Sequence, residues 1–174
     1  MVSRPIEYVT KGGIRVSRVS VEADYATAIE NMLERVNRRR GAVLSSNYEY
    51  PGRYTRWDTA IVDPPLGIEA NGRDVRILAY NDRGKVLLPK IGEVLSSHNH
   101  VASLETGEDS LALRVRDSGR IESEEMRSRA PTVFSVVRVI TDLFHSEEDP
   151  SIGLFGAFGY DLAFQFEEIE QKLE

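Results

Sequence analysis

Cysteine is absent from this 174-residue chain, which excludes a disulfide framework, a thiolate nucleophile and a cysteine metal site. Histidine occurs only three times, so a nucleophilic triad has few candidate members, and no serine lies in a Gly-x-Ser-x-Gly elbow. No apolar run approaches the length that spans a bilayer, and the opening MVSRPIEYVTKGG lacks the apolar core of a secretion signal. A soluble, cytoplasmic protein is therefore expected, with no membrane partner. Basic residues are outnumbered, 22 against 28 acidic, for a net charge of −6, which argues against nucleic acid because phosphate binding needs a positive face. The only basic run, Arg38, Arg39 and Arg40, falls where a helix should end and reads as a solvated cap that favours the helix dipole.

What is present fits one domain of common size. Ile14 to Val21, read as IRVSRVSV, alternates unevenly and predicts a strand with a bulge near Ser17 and Arg18. Asp24 can cap a helix in which Tyr25, Ala28, Ile29, Met32, Leu33 and Val36 recur at helical spacing, and Gly41 stands where a left-handed stop is favoured. Two prolines after Asp63 end regular structure. Asn71-Gly72 and Asn81-Asp82-Arg83-Gly84 read as turns, so strands near Gly67 to Ala70, Val75 to Tyr80 and Val86 to Leu88 should pair as an antiparallel meander, and Ile91 to Leu95 as a short helical turn. Adjacent antiparallel strands with flanking helices define an α+β class.

From Ser96 to Arg129 the chain is largely polar, with its one dense apolar cluster at Leu111, Ala112, Leu113 and Val115. A mobile loop, one strand and a disordered connector from Asp117 to Ser128 are expected. Pro131 then opens a helix with Val133, Val136, Val137, Ile140, Leu143 and Phe144 on one side. In Gly153 to Glu168, glycine recurs every third residue between Leu, Phe and Ala, which predicts a strand closely approached by another backbone or a ligand. Tyr160-Asp161 then starts a helix reaching Glu174.

Candidate chemistry is sparse. His98 and His100 would share a face on a strand, but no carboxylate stands at ligand spacing, so a surface loop is the better reading. His145 reads as a helix C-terminal cation, and the pairs Glu147-Glu148 and Glu167-Glu168 as solvated runs. No residue set here could run a reaction unaided. The dense stretch is Gly41 to Pro65, with hydroxyls, an amide, tyrosines, a tryptophan and two arginines. Such a segment could hold a small zwitterion, with Arg53 or Arg56 on its carboxylate and flat rings as a wall. From composition alone, an aromatic strand and turn packed under a helix is the better reading.

The order of first helix, Gly41 to Asp58 segment, Asp63-Pro64-Pro65, antiparallel strands and the Gly153 to Leu162 segment resembles the N-terminal region of anthranilate synthase component I. The Leu44-Ser45-Ser46 form with Asn47-Tyr48-Glu49-Tyr50-Pro51-Gly52-Arg53 is most similar to the long version fused to a glutamine amidotransferase. The glycine-rich segment is shared across chorismate-using enzymes. The resemblance implies that residues 1–174 form an N-terminal regulatory domain, an incomplete half of a chorismate-utilising fold. The catalytic, magnesium-binding half would lie outside these residues, leaving no catalytic residue, metal site or cofactor here. It implies tryptophan as effector, met by Leu44, Ser45, Ser46, Asn47, Tyr48 and Arg53 or Arg56. Ser45 stands where many relatives have glutamate, so Asn47, Glu49 or a backbone carbonyl would meet the ammonium. The implied partners are the catalytic half, the amidotransferase and a second copy in a homodimer. The rival readings are another chorismate-utilising synthase, with aminodeoxychorismate, phenazine-type or isochorismate product, and a stand-alone module binding an amino acid or protein.

Overall fold

The computed structural model describes residues 4–46, 50–53, 57–117, 119 and 129–166. The chain forms two compact units, Met1–Glu7 with Ser17–Pro64 and Tyr8–Val16 with Pro65–Glu174, where length alone predicts one. A ribbon of β1 (Ile6–Val9) and β2 (Arg15–Arg18) replaces the single long strand expected from Ile14 to Val21. Its tip belongs to the second unit. Gly13 takes φ 81° there, a left-handed conformation that glycine reaches without a Cβ penalty.

In the first unit, α1 (Tyr25–Val36) starts as expected, because the Asp24 carboxylate accepts from Thr27 N at 3.1 Å. β3 (Gly41–Ser46) and β4 (Trp57–Val62) pair antiparallel, Gly41 opposite Val62 and Ser46 opposite Trp57. Gly41 is the first residue of that strand and not a left-handed helix stop. A Cβ there would lie 2.1 Å from Ile61 O and 3.3 Å from Val36 Cγ2, so close packing explains the glycine. Helix α1 lies on β3 and β4, but its stripe is only half-covered: Ala28, Ile29, Met32 and Val36 are half-buried, whereas Tyr25 and Leu33 are exposed. The arginine run follows the helix end and pairs with carboxylates. Arg38 pairs with Glu34 at 2.9 Å and Arg39 with Asp63 at 2.5 Å.

The second unit carries a four-stranded antiparallel sheet in the order β5, β6, β8, β7, formed by β5 (Leu66–Asn71), β6 (Asp74–Ala79), β7 (Val101–Thr106) and β8 (Ser110–Val115). The β5–β6 turn has Gly72 at φ 56° followed by Arg73 at negative φ, the sign pattern of a hairpin type II′ turn. Val86 to Leu88 is not a third meander strand. It lies in α2 (Asp82–Ser96), which absorbs the expected turn at Ile91 to Leu95 as well. Asn81 is the N-cap, its side chain accepting from Gly84 N at 3.2 Å. Gly84 is needed because a Cβ would sit 2.0 Å from Pro65 O. β7 was unexpected, since Ser96 to Arg129 predicts one strand only. The connector Asp117 to Ser128 lies almost wholly outside the described residues.

Helix α3 (Val133–Phe144) buries Val133, Val136, Ile140 and Leu143 as the period predicts, and packs against α2. Together with Val75 and Ile77 from β6, Leu88, Ile91 and Leu95 from α2, Val101 from β7 and Leu111, Leu113 and Val115 from β8, these residues form one core. The terminal carbonyls of α3, which have no intrahelical donor, accept from the ribbon tip: Gly12 N reaches Leu143 O at 3.0 Å and Lys11 N reaches His145 O at 2.8 Å. The Gly153 to Glu168 segment is not a strand. Residues 152–159 have no regular structure, and Tyr160–Gln165 form a 3₁₀ helix where the expected helix begins; the rest of that expectation, residues 167–174, lies outside the described residues.

Candidate functional site

The hydroxyl and arginine segment is the β3–β4 hairpin. In an antiparallel pair, residues directly opposite share a face and neighbours along a strand alternate. Leu44 and Ser46 therefore share one face with Thr59 and Trp57, while Ser45 lies on the other face with Asp58. Gly41 and Val43 belong to that second face, and the approach of Val36 to Gly41 marks it as the one covered by α1. Tyr25 on α1 donates its hydroxyl to the Asp58 carboxylate, further along the same face. The Leu44-Ser45-Ser46 trio is thus split: Ser45, itself exposed, lies on the face that α1 covers nearer Gly41, and Leu44 and Ser46, both half-buried, share the opposite face.

The tip of the hairpin is partly described. Pro51 and Gly52 form a tight turn in which Arg53 N donates to Tyr50 O at 2.9 Å and Gly52 takes φ 77°, the residues and sign that a type II turn demands. Arg53 is exposed at its end. Asn47, Tyr48 and Arg56, also expected at the site, lie outside the described residues, as does Glu49. Of the described rings, Tyr50 is 51% and Trp57 52% exposed. The described part is an open ribbon with a hydroxyl and an indole on one face and a guanidinium at the turn. Trp57 opposite Ser46 and the Tyr25 to Asp58 bond were not foreseen, although the apolar run after Trp57 marks a strand that must pair with something.

Charges near the hairpin serve the fold. Asp24 is held below its ordinary value, chiefly by the Thr27 backbone N–H and then by the Thr27 hydroxyl. The histidines lie elsewhere, in the second unit. His98 and His100 precede β7 with rings edge to face, and His100 Nδ1 is 2.9 Å from Ser135 Oγ. Burial holds His100 below its ordinary value, with help from His98 and Arg138. His145 is the C-cap of α3, as read from the sequence. It borders a shallow surface depression of 250 Å³ with Val137, Arg138, Thr141 and Asp142. Among the described residues, no three His, Asp or Glu side chains gather into a metal-binding group, and no helix is long and apolar enough to cross a membrane.

The architecture is α+β on antiparallel sheets, consistent with part of a chorismate-utilising enzyme fold. Comparison with curated proteins finds relatives of one kind. The chain is 44% identical over 170 residues, 98% of its length, to anthranilate synthase of Azospirillum brasilense. It is 27% identical over 80% of its length to anthranilate synthase component 1 of Haemophilus influenzae, and 28% identical over 90% to the pyocyanine-specific component 1 of Pseudomonas aeruginosa. It spans about a quarter of the length of these relatives, 23%, 26% and 29% respectively. No family model matches the chain, and no solved structure does.

Proposed function

We propose that this chain is the N-terminal, tryptophan-sensing part of an anthranilate synthase. That enzyme is a cytoplasmic lyase of tryptophan biosynthesis that converts chorismate and glutamine-derived ammonia to anthranilate and pyruvate. The 44% identity across 98% of the chain carries this reading. The 174 residues alone do not catalyse it. In this reading the magnesium ion and the acid–base groups belong to the catalytic half of the parent. The amidotransferase is fused to that half, and the complete protein is a homodimer.

The β3–β4 hairpin supplies one side of the effector pocket. Ser46 lines the pocket with its hydroxyl, Leu44 and Trp57 offer apolar surface on the same face, Asn47, Glu49 or a backbone carbonyl meets the tryptophan ammonium, and Arg53 or Arg56 pairs with the carboxylate. The remaining wall comes from the distal half, so the isolated chain binds tryptophan weakly or not at all. Inhibition is a population shift limited by the difference in tryptophan affinity between two arrangements of the enzyme. Ser46→Phe in the complete enzyme should weaken tryptophan inhibition by at least about tenfold, equivalent to about 1.4 kcal/mol of lost binding, with chorismate turnover nearly unchanged. An unaltered inhibition curve would sink the assignment of this face. Calorimetric titration of tryptophan into the complete enzyme and into this chain separates a shared pocket from one contained here.

A further inference from the structure

The segment after α3 is fastened at both ends and bare in the middle. At its start Asp149 is 2% exposed, receiving the Tyr8 hydroxyl at 2.7 Å and Ser151 N at 2.9 Å. At its end Gln165 accepts from Val133 N at 3.0 Å and donates to Gly72 O at 2.8 Å, and the rings of Phe158 and Phe166 pack on Phe134 at 4.9 and 6.0 Å. Between these anchors, Gly153 to Phe158 make no backbone hydrogen bond among the described residues. Leu154, Phe155 and Phe158 are exposed, followed by Tyr160 at 96%. A Cβ at Gly153 or Gly156 would meet nothing within 4 Å. A frayed tail would lack the second anchor. A packed strand would have a ladder.

Unpaired backbone beside contiguous apolar surface is the form in which a segment accepts an added strand, with main-chain bonds giving affinity and alternate side chains giving fit. We propose that Gly153–Phe158 is a preformed docking strand for a strand edge of the parent polypeptide outside these 174 residues, with Gly153 and Gly156 kept small for a close-lying layer. This rests on the function proposed above. The occupant follows from length, because the chain accounts for only 23% of its Azospirillum relative. A second copy is disfavoured because each chain carries a net charge of −6.

Hydrogen exchange followed by mass spectrometry tests this without a mutation. Amides of Gly153–Phe158 should exchange at least about a hundredfold more slowly in the complete protein than in this chain. Gly156→Val should leave the melting midpoint of this chain unchanged and lower that of the complete protein. Equal, fast exchange in both proteins would overturn the proposal. So would protection that appears in this chain alone as its concentration rises, which would assign the surface to a second copy. Anthranilate formation by the wild-type complete protein is scored separately. A protected segment in a protein that makes no anthranilate keeps the docking and removes the function, and an open segment in an active synthase does the reverse.

Discussion

The two units hold themselves together by different means. The second gathers thirteen apolar side chains into one buried cluster drawn from three strands and two helices. In the first, no described residue is buried: α1, β3 and β4 offer half-covered faces, a capped helix and one antiparallel ladder. Removing apolar surface from water is the main favourable contribution to folding and scales with the area removed. The second unit therefore carries most of the stability, and the first depends on close backbone fits and surface pairs, each worth little. The face assigned to effector binding lies on the less stable unit, as expected where ligand-responsive elements are drawn from low-stability regions.

The largest way to test this contrast is in the core. Ile140→Ala or Ile77→Ala should cost about 2–5 kcal/mol, read as a shift in the denaturant midpoint by far-ultraviolet circular dichroism. A loss below about 1 kcal/mol would mean that the cluster is not the stabilising centre. Gly41→Ala should act on the other unit, since a Cβ 2.1 Å from Ile61 O forces β3 from β4, at about 1–3 kcal/mol as in other overpacked sites. Trp57 is the only tryptophan and sits on β4, so its fluorescence should report this loss ahead of the dichroism signal. Coincident transitions would show that the units unfold as one.

Acid should separate the units in the opposite sense. All three histidines lie in the second. His100 faces Ser135 and Arg138 from α3 and His98 from its own loop, and its proton affinity is lowered in the fold. Its contribution is fully present above the ordinary value of 6.5 and is lost as pH falls through the lower folded value. The second unit should weaken over that window while the Trp57 signal holds, and His100→Asn should flatten the dependence. The smallest effect is expected at Asp24. Asp24→Ala removes the α1 cap and should slightly lower the Trp57-monitored midpoint. The wild-type cap is present above 3.8 and fails as pH drops through the depressed folded value.

Helices with a complete apolar period were readable: α1 from Asp24 onward and α3 from Val133 to Leu143. The β5–β6 hairpin was readable because Gly72 supplies the handedness the turn needs. α2 was not, since Asn81-Asp82-Arg83-Gly84 serves a turn and an N-cap alike; Pro89 lies inside the helix on an exposed face. β7 escaped because an irregularity between Val101 and Ser103 breaks the two-residue period. Gly153 to Gly159 has the composition of a strand, but a ladder needs a partner, which one stretch of sequence does not reveal. At the hairpin, the residue types were legible and their faces were not. Ser45 and Ser46 are adjacent in sequence and opposite in space, and only the register with Asp58 and Trp57 says which is which.

The bare segment also has a consequence in time. On the reading proposed above, a ribosome that has finished Phe166 still has roughly three quarters of the protein to make, given the 23% share of the Azospirillum relative. At roughly 5–20 residues per second that takes about half a minute to two minutes. Through that interval Leu154, Phe155 and Tyr160 stand uncovered beside other nascent chains. Slow synthesis or high expression should raise the demand for chaperones at this one place.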